Sequence, residues 1–262
     1  MSAGVFDEHA GAWAAWQETP WARLRYRLVA RTLAGALDRL GGGGQGRACR
    51  VLDVGGGDGA DSLPLAEQGH EVTILDYAEG LLARAGERAA AGGLTVRTIH
   101  ADLAAAPPDG FDLVLCHNML HYLPDADLPD AVRRLVAAAR PGGMLSVLAP
   151  NPAMDVFATA VRRTDPAGAA ALLDAPTIRS ETFDHEMGRL DAGTVEALLV
   201  ADGCTVERRY GIRCVTDLIA DDDLKHDPAF FADLERLEFA LCDLEPYRRM
   251  ARFWQLVVTR AG

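Results

Sequence analysis

The amino-acid sequence predicts an α/β fold with a mostly parallel seven-stranded sheet, helices on both faces and a helical lid. From Arg50 to Ala149, short apolar runs alternate with helical segments of about ten residues, a pattern typical of βαβ units. Hydrophobic residues make up 49% of the 262 residues and charged residues 24%, so the chain can bury a sizeable core. A glycine-rich turn follows the first apolar run, at the place where such sheets commonly bind a ligand.

Residues 1–40 are predicted to form an N-terminal helical cap. Leucines give this segment a loose apolar stripe at helical spacing, at Leu24, Leu28, Leu33, Leu37 and Leu40. The glycines of 41–44 are predicted to end the cap, because glycine loses more backbone entropy on ordering than any other residue.

The segment 41–150 is predicted to form the ligand-binding core. Strands are predicted at the apolar runs Arg50–Val54, Glu71–Leu75, Leu94–His100, Phe111–His117 and Met144–Ala149. Helices are predicted between them at Ala60–Gln68, Ala78–Ala91 and Leu128–Ala139. Right-handed crossovers then bring the carboxyl ends of the strands to one edge of the sheet.

After Pro150 the regular alternation stops, and two insertions are predicted. Residues 151–190, which contain three prolines, are predicted to form a lid. Residues 191–262 are predicted to complete the core, with a mostly helical insertion at 215–251. Their predicted elements are a helix at Asp191–Ala201 and strands at Cys204–Cys214 and Arg252–Arg260. We expect both insertions to cover the sheet edge where the ligand binds.

Composition narrows the classes of function. The formal charge is −12, which disfavours a protein that coats nucleic-acid backbones. The five cysteines never show C-x-x-C spacing, so neither a zinc site nor a disulfide framework is predicted. The first residues lack the pattern of a signal peptide, and no apolar run approaches the ~18 residues that span a bilayer. We therefore expect a cytoplasmic protein without membrane contact.

The turn from residue 55 to residue 59 is the strongest functional signal, because four of its five residues are glycine. Glycine lets the chain turn sharply and lets a ligand approach the backbone. Gly55, Gly57 and Ala60 match the G-x-G-x-x-A pattern of dinucleotide sites, whereas Asp53 and the alternate glycines match a nucleoside-binding D-x-G-x-G-x-G pattern. Asp53 favours the second ligand class, since a carboxylate would repel a diphosphate but can orient a cationic group.

Polar residues at the ends of the next strands support a nucleoside ligand. Asp76 ends the second strand about twenty residues after the turn, where a carboxylate can accept hydrogen bonds from both ribose hydroxyls. Ala101 and Asp102 end the third strand, where an acid commonly receives an adenine amino group. His117 ends the fourth strand at the same edge.

These motifs resemble those of class I S-adenosylmethionine-dependent methyltransferases, which have a Rossmann-like fold. More closely, the chain resembles the tRNA carboxymethoxyuridine methyltransferases, which esterify the carboxylate of a modified wobble uridine. The similarity extends over nearly the whole length. It is carried by Phe6-Asp7, Leu24-Arg25, Arg50–Gly59, Glu67–His70, Leu75-Asp76, Ile99-His100, Gly211–Arg213, Leu237-Glu238, Cys242 and Glu245–Tyr247.

The resemblance implies that S-adenosylmethionine is the cofactor and that the methyl group goes to an acceptor oxygen. It also implies that Arg25 pairs with the methionine carboxylate, which a guanidinium fork suits well. The predicted cofactor-binding residues are Arg25, Asp53, Gly55, Gly56, Gly57, Asp76, Tyr77, Ala101, Asp102 and His117. No metal site is predicted, because His117 and His121 have no third ligand nearby.

Two classes of acceptor stay open. A carboxylate is ionised at pH 7 and needs no base, and Arg213 is then the candidate that holds it in a bidentate pair. A hydroxyl or an amine would use a base, for which His121 is best placed. The acceptor is therefore predicted to be carboxymethoxyuridine in tRNA or, alternatively, a small molecule such as a secondary metabolite that is methylated on oxygen or nitrogen. A non-enzymatic nucleoside-binding module is a third hypothesis.

Arginine pairs and aromatic residues also bear on whether the acceptor is a tRNA or a small molecule. The pairs at 133–134, 162–163, 208–209 and 248–249 could form a discontinuous patch for nucleic acid, although such pairs are more often solvated. Trp13, Trp16, Trp21, Tyr122 and Tyr247 could stack on a base, but we expect them to pack in the core of the lid.

Overall fold

The computed structural model describes residues 10–43, 46–180 and 185–262. Its central sheet contains β1 (Arg50–Val54), β2 (Glu71–Asp76), β3 (Arg97–His100), β4 (Phe111–His117), β5 (Ala139–Pro150), β8 (Cys204–Ile212) and β9 (Phe253–Arg260). The strand order is β3-β2-β1-β4-β5-β9-β8. Strands β1 to β5 run parallel, whereas β9 is antiparallel to both β5 and β8. The predicted seven-stranded, mostly parallel sheet is confirmed.

Nine α-helices are assigned within the described ranges, together with a separate hairpin. The helices are α1 (Ala10–Gln17), α2 (Pro20–Arg39), α3 (Leu63–Glu67), α4 (Glu79–Ala91), α5 (Leu128–Ala138), α6 (Pro152–Val161), α7 (Pro166–Ala171), α8 (Ala192–Ala201) and α9 (Pro228–Leu241). The hairpin pairs β6 (Thr177–Ser180) with β7 (His185–Gly188). None of these helices is long and apolar enough to cross a membrane.

Both faces of the sheet are buried under helices. Every residue of β4 is buried, as expected for a central parallel strand with an apolar layer on each side. Leu113 and Leu115 belong to the layer that contains α2, α4 and α9, whereas Val114 and Cys116 belong to the layer that contains α5 and α8. Successive side chains of β4 thus point to opposite faces of the sheet and contribute to both apolar layers.

The structure differs from the predicted elements in a few places. The helix after the glycine turn begins at Leu63, because the amides of Ser62 and Leu63 donate to the Gly59 carbonyl and form a turn first. Strand β5 begins at Ala139, five residues before the predicted Met144. The hairpin in the predicted lid was not expected. Residues 1–9 of the predicted cap lie outside the described residues.

Candidate active site

A cleft of about 890 Å³ lies at the carboxyl ends of the central strands. Asp53, Asp76 and His117, from β1, β2 and β4, line its floor. Residues of both insertions line it as well, among them Asp155 and Thr159 in the first and Thr216, Asp217 and Lys225 in the second. The cleft is therefore formed where the sequence places the functional residues.

The glycine turn brings bare backbone to the cleft. Gly55 and Gly57 adopt φ values of 67° and 51°, which glycine accepts at little cost. A Cβ on Gly55 would lie 2.8 Å from Met119 Cγ, and one on Gly56 would lie 2.5 Å from Asp53 Cγ. A Cβ on Gly57 would meet no protein atom closer than 3.4 Å, so this residue is constrained by its backbone conformation and by its place on the cleft.

Asp76 is held in place by the turn. Its Oδ2 accepts a hydrogen bond from the Gly57 amide and its Oδ1 one from the Ala78 amide, each at 2.8 Å. These contacts hold the carboxylate at the end of β2, where it lines the cleft and can accept hydrogen bonds from ligand hydroxyls. Tyr77 also lines the cleft, and burial raises its pKa to about 12.

Asp53 and Arg25 place opposite charges beneath the turn. Both side chains are buried and line the cleft. Burial and the nearby carboxylates of Asp61 and Asp76 together raise the pKa of Asp53 to about 7. Asp53 Oδ2 and Arg25 Nε lack hydrogen-bond partners within the described part of the chain. Such buried polar atoms normally find partners, so the floor is suited to a ligand that carries both an acceptor and a donor.

Asp61 is a functional candidate that the sequence analysis missed. Its Oδ1 forms an ion pair with Arg25 Nη1, and its Oδ2 lies 2.8 Å from His117 Nδ1. Burial alone would raise the pKa of Asp61, but Arg25 and His117 outweigh burial and hold this pKa well below its usual range. The partners are 36 and 56 residues away, so only the folded chain brings them together.

Asp61, His117 and Ser146 are arranged like a Ser-His-Asp triad, because His117 Nε2 lies 2.8 Å from Ser146 Oγ. A triad needs an accessible nucleophile. Ser146 is fully buried, accepts a hydrogen bond from Gln255 Nε2 and is not among the described residues that line the cleft. These contacts therefore position His117 and do not form a nucleophilic site.

Eleven of the twelve predicted site residues line the cleft. The exception among the described lining residues is Ala101, whose amide donates to the Asp76 carbonyl at 3.0 Å. Asp102 lines the cleft but also caps the short helical turn that follows, since its Oδ1 accepts from the Ala104 amide at 2.8 Å.

Arg213 lines the cleft but is not free to hold an acceptor carboxylate as predicted. Its Nε donates to Asp217 Oδ2 at 2.8 Å and its Nη2 to Asp217 Oδ1. The predicted bidentate partner is thus an acid of the same chain, four residues further on. With a φ of 64°, Arg213 also adopts a backbone conformation that favours glycine.

His121 lines the cleft but is a poor base. Burial, together with the nearby Arg252 guanidinium, lowers the pKa of His121 to about 3. A ring this weakly basic contributes little as a general base at neutral pH. The predicted role in methylation of a hydroxyl or an amine is therefore disfavoured.

The aromatic residues do not form a lid core as expected. Trp13, Trp16, Trp21 and Tyr122 line the cleft, and Tyr247 is about half exposed. Trp13 and Trp16 stack on each other with ring centroids 4.9 Å apart. Planar apolar surface is therefore available beside the charged floor.

The comparisons with known proteins agree with this geometry. Residues 51–143 match a family model described as a methyltransferase domain. The tRNA 5-carboxymethoxyuridine methyltransferase of Escherichia coli (strain K12) is 28% identical over 209 residues, which cover 78% of this chain and 77% of that protein. A ubiquinone biosynthesis O-methyltransferase of Xanthomonas euvesicatoria pv. vesicatoria is 36% identical over 144 residues, 53% of each chain.

A solved S-adenosylmethionine-dependent methyltransferase from Mesorhizobium loti shares the fold. Its TM-score is 0.56 at 22% sequence identity, over 88% of this chain and 96% of that chain. The chain is a class I S-adenosylmethionine-dependent methyltransferase.

S-adenosylmethionine is accordingly the cofactor of this methyltransferase, and the cleft fits it. Its methionine moiety carries a carboxylate and an ammonium group, which match the partnerless Arg25 Nε and Asp53 Oδ2. The carboxylate of Asp76, held by the Gly57 amide, would accept hydrogen bonds from the ribose, and Gly57 leaves room for close approach of a ligand to the backbone.

Proposed function

We propose that this methyltransferase transfers the methyl group to a carboxylate oxygen, with the carboxymethoxyuridine of tRNA as the first candidate acceptor. The proposal depends above all on the charge of the lid-side wall, defined as the residues after 150 that line the cleft. Its described members include six cations, Arg162, Arg163, Arg179, Arg213, Lys225 and Arg252, and three acids, Asp155, Asp217 and Asp222. Four of these cations pair with the three acids, namely Arg162 and Lys225 with Asp222, Arg213 with Asp217, and Arg252 with Asp155. The wall still has a net positive charge, which in a chain of net charge −12 favours an anionic acceptor.

The opposite side of the cleft has the reverse balance. The described lining residues before 150 include Arg25 and five acids, Asp53, Asp58, Asp61, Asp76 and Asp102. An acidic side suits a sulfonium cation, and a basic side suits an anion that approaches it. The cofactor is therefore favoured on the acidic side of the cleft and the anionic acceptor on the basic side.

The chemistry needs alignment more than proton transfer. The bound cofactor supplies an electrophilic methyl group on a sulfonium sulfur. An ionised carboxylate attacks without a base, which agrees with the low pKa of His121. The protein contributes by holding the acceptor in line and by excluding water.

The tRNA acceptor is supported by the relative from Escherichia coli, which covers more than three quarters of this chain. It is tested by incubating the enzyme with methyl-labelled S-adenosylmethionine and either bulk tRNA or a small-molecule extract. We expect the label in the tRNA fraction. Label in the small-molecule fraction alone would contradict the tRNA acceptor.

A small anionic molecule is the second candidate, and the surface favours it. Arginines that could form a tRNA-binding patch are paired with acids. Arg133 and Arg134 bond to Asp130, Arg209 to Glu196, and Arg248 and Arg249 to Glu245. A tRNA substrate should bind with a steep salt dependence, whereas a small acceptor should show a shallow one.

A further inference from the structure

The guanidinium of Arg25 forms its ion pair with Asp61 through a single nitrogen. Arg25 lies on α2, and its Nη1 pairs with Asp61 Oδ1. Its Nε has no hydrogen-bond partner among the described residues. The face of a guanidinium that binds a carboxylate in bidentate fashion is formed by Nε and Nη2 or by both Nη atoms. Asp61 therefore secures one nitrogen and leaves the Nε edge for another anion.

The second oxygen of Asp61 extends the contact through the sheet. His117 Nδ1 lies 2.8 Å from Asp61 Oδ2, and His117 Nε2 lies 2.8 Å from Ser146 Oγ. Gln255 Nε2 donates to Ser146 Oγ at 2.9 Å. Thr32 Oγ1, on α2, lies 2.9 Å from Gln255 Oε1 and 2.8 Å from the Val29 carbonyl, and its single hydroxyl proton is shared between these two acceptors.

These contacts form a closed circuit that begins and ends on α2. It passes from Arg25 through Asp61, the end of β4, β5 and β9, and returns to Thr32. Its members are buried except for Asp61, whose side chain is 10% exposed. Only the end formed by Arg25, Asp61 and His117 is among the described lining of the cleft. Buried networks of this kind rigidify the groups that they connect.

We infer that Asp61 is a positioning residue for the methionine end of S-adenosylmethionine, because it fixes Arg25 and His117 relative to the glycine turn. Asp61 also supplies the negative charge that keeps Arg25 stable when the cleft is empty, since an unpaired buried guanidinium would be costly. The orientation of Arg25 is thus set before the cofactor arrives, which lowers the entropy lost on binding.

The test compares two ligands that share the adenosine moiety. S-adenosylhomocysteine has the amino-acid end, whereas 5′-methylthioadenosine lacks it. In calorimetry, Asp61→Asn should weaken S-adenosylhomocysteine at least about tenfold, the loss expected for a charge-assisted hydrogen bond. It should leave the affinity for 5′-methylthioadenosine within about threefold of wild type. An equal loss for both ligands would mean that Asp61 stabilises the cleft as a whole, and no loss would mean that it has no part in binding; either result overturns the proposal.

A matched variant and a measurement on the wild type complete the test. Ser146→Ala breaks the circuit behind His117 and keeps Asp61, so the affinity for S-adenosylhomocysteine should change less than in Asp61→Asn. In the wild-type enzyme, ¹⁵N NMR should show a proton on His117 Nδ1, which must donate to Asp61. A ring protonated on Nε2 alone would overturn the proposal even if Asp61→Asn does not fold.

Discussion

Burial determines the chemistry of Asp53, the carboxylate beneath the glycine turn. The side chain is 2% exposed and burial raises its pKa to about 7, so Asp53 exchanges its proton in the neutral pH range and not in the acidic range typical of aspartate. Arg25 faces it with a positive charge, and Asp61 and Asp76 face it with carboxylates. A bound cationic ligand stabilises the ionised form of Asp53 and so lowers the pKa of this carboxyl in the complex.

This predicts a pH dependence of cofactor binding. Below the free-enzyme pKa of about 7, binding must expel a proton from Asp53, so the affinity for S-adenosylmethionine should fall as the pH drops, by up to about tenfold per unit. Above that pKa, Asp53 contributes no slope. Calorimetry between pH 5.5 and pH 8.5 measures the effect, since ~1.4 kcal/mol corresponds to each tenfold step. Asp53→Asn should remove the slope, and a slope that persists in this variant would assign it to another group.

Arg213, which was predicted to contact the acceptor, has a carboxylate partner in its own chain. Arg213 and Asp217 are both largely buried and form a bidentate pair. Removing one partner leaves an uncompensated charge.

Arg213→Ala should therefore lower the free energy of unfolding by about 3 kcal/mol, as measured by urea denaturation. The control is Arg236→Ala, which removes the exposed ion pair with Asp233 and should change stability little. Unchanged stability of Arg213→Ala, together with a raised KM for the acceptor, would instead support the predicted hold on the acceptor.

At the scale of the elements, two glycines on either side of α3 allow an effect on ligand binding to be distinguished from an effect on stability. Gly57 lies in the turn between β1 and α3, and Gly69 lies between α3 and β2. Gly57 and Gly69 both have positive φ, 51° and 89°. Neither would meet a close protein atom if it carried a Cβ, so alanine imposes a similar backbone strain at both positions. Of these two glycines, Gly57 is among the described residues that line the cleft and Gly69 is not.

Gly57→Ala should therefore lose cofactor affinity out of proportion to its loss of stability. Gly69→Ala should lose a similar amount of stability, roughly 1–2 kcal/mol, and keep its affinity for S-adenosylhomocysteine. Thermal unfolding and calorimetry on both variants provide the comparison. Equal affinities would show that the ligand does not approach the backbone at Gly57.

The elements also show what sequence alone can predict. The sheet strands were predictable because parallel strands buried on both faces are continuous apolar runs, as in Phe111–His117. Asp53, Asp76 and His117 were predictable because strand ends share one edge of the sheet. The hairpin of β6 and β7 was missed because its strands are four residues each, too short for a clear alternation. Asp61 was missed because its ion pairs join segments that are far apart in the chain. Asp217 is only four residues from Arg213, but it lies outside an α-helix, so no helical spacing indicated their pairing.

At the scale of the whole molecule, charge is arranged differently inside and outside the cleft. The chain carries a net charge of −12, and several of its exposed arginines are paired with acids. The described lid-side wall has twice as many cations as acids, so it keeps a net positive charge although four of its cations also pair with acids. Anionic selectivity is therefore expected from the cleft and not from the outer surface, which fits an acceptor whose negative group enters the cleft.

The most direct test of this account is the chemical stability of the transferred methyl group. Methyl-labelled S-adenosylmethionine is incubated with the enzyme and bulk tRNA, and the labelled product is treated with mild alkali. A methyl ester on a carboxylate oxygen should release its label as volatile methanol. Label that resists alkali would place the methyl group on nitrogen or on a hydroxyl oxygen, and would contradict the proposed transfer to a carboxylate.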